Sequence, residues 1–348
     1  VLFIRPVRAS DLPALLAMSK AAGVGMTSMP NDEKTWQHRI NSSETTFRNQ
    51  GDSERDGAYF MVAEDSDTGQ VVGTTAIYIG IGTRVPFFSY RQTLLVKYSA
   101  ELDKMIENNV LNLVNDFTRA SEIGSLFLSS GYRRSDYGQF MSRSRYLFMA
   151  DFPDRIAEDV IAEMRGWQNS ENQSPFWQAL GKKFFDLPFE NADYLTATKG
   201  TLFIQDLMPK YPVYLELLPA DARACIGKPH DLSAKAIHLL KKEGFRYCGY
   251  VDVFDGGPTV QCQRQHIQSV RDARDYQVVV DNATELFKNS VGQRYLISNK
   301  NINAYRIIIH SARVSAGRIA IPQRAIDILQ ISAGDRVNVL AMREKHHG

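Results

Sequence analysis

Several things are scarce in this chain, and each scarcity narrows its class. Cysteine comes down to Cys225, Cys248 and Cys262. That is an odd number without metal-like spacing, so a reducing cytoplasm is the expected setting and buried or half-buried thiols the expected fate. An excess of one charge is missing too: 41 Lys and Arg against 39 Asp and Glu leave a formal +2. This gives no electrostatic case for a nucleic-acid partner. No apolar run reaches the roughly 18 residues of a membrane span, and no basic-then-apolar segment precedes the first strand. No histidine pair has ligand spacing beside a carboxylate, so no metal site is expected. No Ser or Cys sits in a nucleophile motif such as Gly-x-Ser-x-Gly, so no covalent enzyme intermediate is expected either. What remains is 348 residues, 44% hydrophobic and 23% charged, enough for one large domain or two of unequal size.

The most informative stretch is Ser125-Leu-Phe-Leu-Ser-Ser-Gly-Tyr-Arg-Arg-Ser-Asp-Tyr-Gly-Gln139. Leu126, Phe127 and Leu128 read as a short strand, and Arg133, Arg134, Ser135, Tyr137 and Gly138 lie on the turn that follows. From Gly138 to Ala150 the apolar residues Phe140, Met141, Tyr146, Leu147 and Met149 read as a partly buried helix. A strand, a basic glycine-bearing turn and a helix start form an anion site, because the first N–H groups of a helix lack partners and its dipole favours negative charge. Arg133 and Arg134 add countercharge for a pyrophosphate.

Other segments give a sheet with flanking helices. Phe3 to Ala17 reads as a strand and then a helix capped by Ser10. Tyr59–Ala63 and Val71–Ile79, split by Glu64-Asp-Ser-Asp-Thr-Gly69, read as a hairpin. Ala234 to Lys242 is an amphipathic helix stopped by Gly244, and the β-rich Phe245–Phe254 follows. Ser174 to Phe185 reads as a further helix, with Ser174 as its cap and Pro175 at its first position.

This pattern resembles the Gcn5-related N-acetyltransferase superfamily, whose pyrophosphate turn runs Arg/Gln-x-x-Gly-x-Gly/Ala. Arg133 and Gly138 match it, while Asp136 stands where the first glycine is expected. The resemblance narrows through Thr27-Ser-Met-Pro30, Glu163-Met-Arg-Gly166, Ser174-Pro-Phe-Trp177, Leu207-Met-Pro209, Ile226-Gly-Lys-Pro-His230 and Phe254-Asp-Gly-Gly-Pro-Thr259. These stand in the order found in bacterial arginine N-succinyltransferases, over about residues 3–261. The resemblance implies an α/β (α+β) acyl-CoA N-acyltransferase fold with a mixed, mostly antiparallel sheet flanked by helices. It also implies succinyl transfer from succinyl-CoA, a cosubstrate rather than a tightly bound cofactor, to the α-amino group of L-arginine, the first step of the succinyl pathway of arginine degradation. Within it, Leu126, Phe127 and Leu128 stand for the splayed central strand that holds the thioester and pantetheine. Succinylation of ornithine or another basic amino acid, or a non-catalytic acyl-CoA-binding subunit, are the alternatives. Some members work as paired, related subunits, so a homo-oligomer or a hetero-oligomer is implied.

His230 is the candidate catalytic residue. It follows Lys228-Pro229 on a loop just before the Ala234 helix, and imidazole titrates near neutrality. The resemblance gives it the role of proton donor to the leaving thiolate; the residues alone leave acid and base roles open. Glu163, Asp255, Arg91 and Arg165 are candidates by chemical type for holding the amino-acid substrate.

The organisation is uneven. Residues 1–262 carry the acyltransferase pattern, interrupted by an insertion at about 82–121. That insertion is read as an aromatic run Phe87–Tyr90, a strand Thr93–Tyr98 and a helical segment from Ser99 to about Thr118. Residues 263–348 read as a small β-rich C-terminal domain or appendage. Its strand, Pro-started helix, Gly-Asp turn and strand superficially resemble a swapped-hairpin DNA-binding fold. It lacks a dense basic face, so packing on the catalytic part or on another subunit is the expectation.

Overall fold

A computed structural model describes residues 1–22, 29–49, 56–133, 136–189, 191–192, 195, 202–281 and 292–343. The chain opens with β1 (Leu2–Pro6), α1 (Leu12–Ala22) and α2 (Glu33–Arg48), then runs through β2 (Gly57–Asp65) and β3 (Val71–Ile79). β2 and β3 form the expected hairpin, in register from Gly57–Ile79 to Ala63–Gly73. Side chains alternate across a strand. On β2, Tyr59, Met61 and Ala63 therefore enter one core, while Phe60 and Val62 enter another beside Trp36 and Leu15 of the N-terminal helices.

Entry to α1 departs from the expected Ser10 cap. Ser10 lies inside a short 3-10 turn, Ala9–Asp11. Asp11 ends that turn and reaches back, accepting from Arg8 N at 2.8 Å while its carboxylate pairs with buried Arg5 at 2.8 Å.

The insertion is a long antiparallel hairpin, β4 (Ser89–Ser99) and β5 (Lys104–Val114), paired from Ser89–Val114 to Ser99–Lys104. The helix expected from Ser99 to Thr118 is therefore a strand and its turn. Asp103 adopts a left-handed φ of 44° at the turn. Residues 104–114 carry Asn108, Asn109 and Asn112, poor helix formers, opposite Leu95, Leu94 and Arg91 of a strand that supplies partners along its whole length.

β6 (Ser121–Leu128), α3 (Tyr137–Asp151) and β7 (Asp159–Glu163) follow. α3 is more deeply buried than its sequence implies: Phe140 to Met149 are all buried, Arg143 and Arg145 included. Arg143 is matched by Glu243 at 3.6 Å and donates to Ser269 Oγ at 2.9 Å and Ala341 O at 2.7 Å. The helix expected over Ser174–Phe185 is two short ones, α4 (Pro175–Ala179) and α5 (Gly181–Phe185). Ser174 caps the first, accepting from Trp177 N at 3.2 Å. Leu180 breaks the helix at φ −120°, ψ −72°, and the Trp177 ring stacks on Phe185 across the break, 5.6 Å between centroids.

Next come α6 (Leu202–Leu207), β8 (Val213–Tyr214), α7 (Ala220–Cys225), α8 (Ala234–Glu243), β9 (Arg246–Val251) and β10 (Pro258–Gln263). Gly244, at φ 103°, ends α8 and turns the chain into β9 as its sequence indicates. The remainder is α9 (Gln268–Asp272), β11 (Arg274–Val280), β12 (Gln293–Ser298), β13 (Ile307–Ser315), β14 (Arg318–Ile321), α10 (Gln323–Leu329) and β15 (Arg336–Ala341).

Among the described residues the strands run β12-β15-β11-β14-β13-β1-β2-β3-β6-β7-β10-β9-β4-β5-β8, with β12 also paired to β13. The five C-terminal strands thus close on themselves around Val278, Ile297, Ile308, Ile319, Ile321, Val337 and Val339, with α10 packed by Ala325, Ile326 and Leu329. β13 also borders β1 through the pairs Phe3–Ile308 and Ile4–Ile307. The rest is a mixed, mostly antiparallel sheet with helices against both faces. No described helix is long and apolar enough to cross a membrane.

Candidate active site

The site begins where the sheet comes apart. β6 and β7 are parallel neighbours only at Ser121–Val160 and Glu122–Ile161. Past that point β6 stays with β3 and β7 stays with β10, leaving a cleft between them. The cause is local to β6. Ser125 takes a left-handed φ of 49°, and the pairing with β3 slips between Thr74 and Ala76. Two bonds hold this kink: Thr74 Oγ1 donates to Ser125 O at 2.7 Å, and the Tyr78 hydroxyl shares a hydrogen with Ser125 Oγ at 2.5 Å. An extra residue in one strand bends it and sharpens its twist. Leu126, Phe127 and Leu128 therefore run along the cleft with no strand paired to that edge among the described residues, and such an edge presents backbone donors and acceptors.

At the far end of β6 the basic turn closes over the strand. Arg133 Nε donates to Leu128 O at 2.9 Å, and its guanidinium lies 5.8 Å from the Phe127 ring centre, exposed to solvent. Tyr137 and Gly138 form the first turn of α3. Nothing lies within 4 Å of where a Cβ on Gly138 would stand. Asp136, standing where the turn pattern expects its first glycine, pairs its carboxylate with Arg294 of β12. Arg134 and Ser135 lie outside the described residues.

On the opposite side, three loops are stitched together around His230. His230 N donates to Arg165 O at 2.8 Å, Trp167 N to Lys228 O at 3.0 Å, and Gly227 N to Gly256 O at 2.8 Å. Gly166 and Pro229 form an isolated bridge. This closeness demands glycine at 166, where a Cβ would fall 2.4 Å from Asp255 O. The imidazole is fixed by Leu232 N, which donates to Nδ1 at 3.1 Å. With Nδ1 accepting, the neutral ring carries its proton on Nε2. Burial and the nearby Arg165 charge lower its pKa, with Asp231 opposing them. A lowered pKa makes the imidazolium the stronger acid.

At the mouth of the divergence stand Glu122 of β6 and Glu163 at the end of β7, with Asp252 and Asp255 from the turn between β9 and β10. Burial, then the Asp252 charge, pushes Glu122 up to about 7. Glu163 is held well above the usual carboxylate range by burial first, then by Asp252, Glu122 and Asp255. Asp255 is likewise raised by burial and by Asp252, despite accepting from Gly166 N at 2.7 Å and Gly257 N at 2.9 Å. Asp252 accepts from Phe254 N at 2.8 Å and Asp255 N at 2.9 Å. The two aspartates thus hold the turn together. Among the described residues the Glu163 carboxylate accepts only from Thr259 Oγ1 at 3.5 Å, and no cation lies close enough to lower the pKa of either glutamate. Such a group of carboxylates attracts a cation, or a proton when none is bound.

Two segments of the chain match, in order, the family model described as arginine N-succinyltransferase beta subunit, over residues 2–269, and that of its C-terminal domain, over 283–341. The chain belongs to the arginine N-succinyltransferase family. Among curated relatives, the subunit beta of Pseudomonas aeruginosa is 37% identical over 100% of both chains. The arginine N-succinyltransferase of Citrobacter koseri is 38% identical over 98% of both. The solved structure of arginine/ornithine succinyltransferase subunit AI from Pseudomonas aeruginosa superposes with a TM-score of 0.88 at 32% identity, covering 99% of each chain. The acyl-CoA N-acyltransferase fold read from the sequence is therefore the fold of this family member.

The substrate-holding candidates divide. Glu163 and Asp255 meet at the cleft, and Arg165 lies beside His230 with its guanidinium bonded to Gln168 at 2.5 Å. Arg91 is exposed, pairs with Asp116 at 3.5 Å and lies over the Tyr250 ring. Sequence reasoning missed Glu122, Asp252, Tyr78 and Ser125. Glu122 precedes the strand segment singled out by motif, and only the β6–β7 pairing brings it beside Glu163.

Proposed function

We propose that this family member transfers the succinyl group of succinyl-CoA to the α-amino group of L-arginine, releasing CoA and N2-succinyl-L-arginine. The observation that carries the reading is the cleft itself. A kinked, free strand edge lies between an open helix start with Arg133 on one side and a group of cation-deficient carboxylates beside His230 on the other. The pyrophosphate sits on the first N–H groups of α3, with Arg133 beside it and Tyr137 and Gly138 beneath it, while Arg134 and Ser135, the turn's other candidates in sequence, lie outside the described residues. Pantetheine and the thioester follow Leu126, Phe127 and Leu128, and the backbone N–H groups of this stretch that face the cleft stabilise the developing oxyanion.

Arginine enters as a cation. Glu163 and Glu122 face its positive charge, and binding lowers the cost of keeping them ionised. The guanidinium stays protonated far above neutrality and is a poor nucleophile, so the α-amine reacts. Glu122, poised near neutrality, accepts the ammonium proton. The nitrogen attacks the thioester carbonyl, the C–N bond forms and the C–S bond breaks. As the adduct collapses the nitrogen sheds its second proton and the departing thiolate gains one by way of His230, leaving the amide and the free CoA thiol. Ornithine is the second reading, because carboxylates hold an ammonium as readily as a guanidinium.

We assign the catalytic unit to residues 1–262 and the closed C-terminal barrel to 263–348, and read the working protein as a cytoplasmic oligomer, of identical copies or with a related subunit. The test crosses succinyl-CoA and acetyl-CoA with arginine, ornithine and lysine, following thiol release, with fragmentation mass spectrometry of the product. Succinyl-CoA with arginine gives the highest specificity constant and α-N-succinylation. Equal use of acetyl-CoA, or succinyl on the guanidinium, overturns the assignment.

A further inference from the structure

The β4–β5 hairpin is an arm with too little protein around it. Among the described residues β4 pairs with β9 at Tyr90 and Arg91 and β5 with β8 at Val110 and Leu111, and Asn109 N donates to Glu216 Oε1 at 3.0 Å. Beyond those anchors Gln92–Ser99 and Lys104–Asn109 continue as a two-stranded ribbon, roughly 25 Å long at 3.4 Å per residue. An isolated two-stranded ribbon is marginal in water. Residues directly opposite one another share a face. One face begins with Tyr90 and Leu111, both buried among Phe176 and Trp177. The same row then runs outward as Leu94, Val96 and Tyr98, with Met105 opposite Tyr98, and these are 52%, 55%, 65% and 62% exposed. Leu102 at the tip is 73% exposed. On the other face, Lys97 is turned to the Tyr214 ring.

These five side chains present roughly 600 Å² of largely apolar surface, at the top of what an isolated monomer exposes in one patch. Two such patches laid together remove about 1,200 Å² from water, the lower limit of a specific stable interface. The outer part of this face carries Glu107, opposite Val96, and at its tip Asp103 accepts from the Tyr98 hydroxyl at 2.9 Å. A two-fold contact therefore sets apolar on apolar, with Glu107 able to stay at the rim.

We propose that the β4–β5 arm is the dimerisation surface of this protein, its Leu94, Val96, Tyr98 and Met105 face packing on the same face of a second copy of the chain. The proposal rests on the oligomeric reading above and gives it a location. The test is sedimentation equilibrium of the full chain from nanomolar to micromolar concentration, beside a Val96→Asp/Tyr98→Asp variant and the single Leu102→Glu variant. The wild-type chain dimerises, and the double variant raises the dissociation constant by more than about 100-fold. Its circular dichroism is unchanged. A wild-type chain that stays monomeric throughout overturns both the proposal and the homo-oligomeric reading. A wild-type dimer that survives all three substitutions overturns the arm alone and leaves that reading standing.

Discussion

Replacing Glu122 by Gln tests the electrostatics of the cleft. Burial and Asp252 raise Glu122 to about 7 from its usual 4.5. A folded-state pKa above the unfolded one means that the native protein holds this proton more tightly. The associated stability is complete below about pH 4.5 and is lost as pH climbs through about 7. Two and a half pK units correspond to roughly 3 kcal/mol at most, as an order of magnitude. Other raised carboxylates share the pH range, among them Asp151, lifted to about 6 by burial. The informative quantity is therefore the difference between wild type and Glu122→Gln, not either slope alone. Urea denaturation of the substrate-free proteins at pH 5 and pH 8 should show the wild type losing about 2–3 kcal/mol more than the variant. Saturating arginine should shrink that difference, because a bound cation returns the carboxylate to its ionised form, and the variant should bind arginine more weakly. Parallel pH profiles with and without arginine would refute the placement of the substrate cation here.

Other outcomes follow from the same geometry. His230→Ala should lower kcat by about 10²–10⁴-fold, toward the lower end because a CoA thiolate is a fair leaving group, with little loss of succinyl-CoA binding by calorimetry. Gly138→Asp should weaken succinyl-CoA binding at least tenfold while leaving the melting temperature within a few degrees, since the position opens onto unfilled space. Gly166→Ala should destabilise the His230 loops, seen as faster proteolysis there together with lost activity, because its Cβ would meet Asp255 O at 2.4 Å. Glu243→Leu should cost about 3 kcal/mol in denaturant unfolding, because buried Arg143 loses its carboxylate.

The legible parts of the fold were those written in local chemistry. The polar turn between β2 and β3, the Gly244 stop after α8 and the Ser174-Pro175 cap each name their structure within a few residues. The helix wrongly read over Ser99–Thr118 failed for the opposite reason. Its apolar residues serve one long ribbon whose partner strand, and not its own periodicity, decides the conformation. The candidates for the CoA side and His230 could be named from motif. The acidic side was only half legible: Glu163 and Asp255 stood in motifs, but Glu122 and Asp252 join them only through the order β6-β7-β10-β9. Nor does any local signal announce that Ser125 takes a left-handed backbone, since the demand comes from the slipped pairing with β3.

The contact between β1 and β13 links the chain's first strand to one of its last. β1 pairs with β2 on one side early in synthesis, but its other edge meets only residues 307–308. A ribosome delivers the chain from the N-terminus, so an unfinished polypeptide can build the β2–β3–β6–β7 centre while Leu2–Pro6 remains a bare border. That border is short and contains Arg5 and Pro6, which blunt unwanted pairing during the wait. The barrel, arriving last, seals it. A messenger truncated between β10 and β13 would release a product whose catalytic cleft could be assembled but whose leading edge stays open, a species that quality-control proteases and chaperones would meet first.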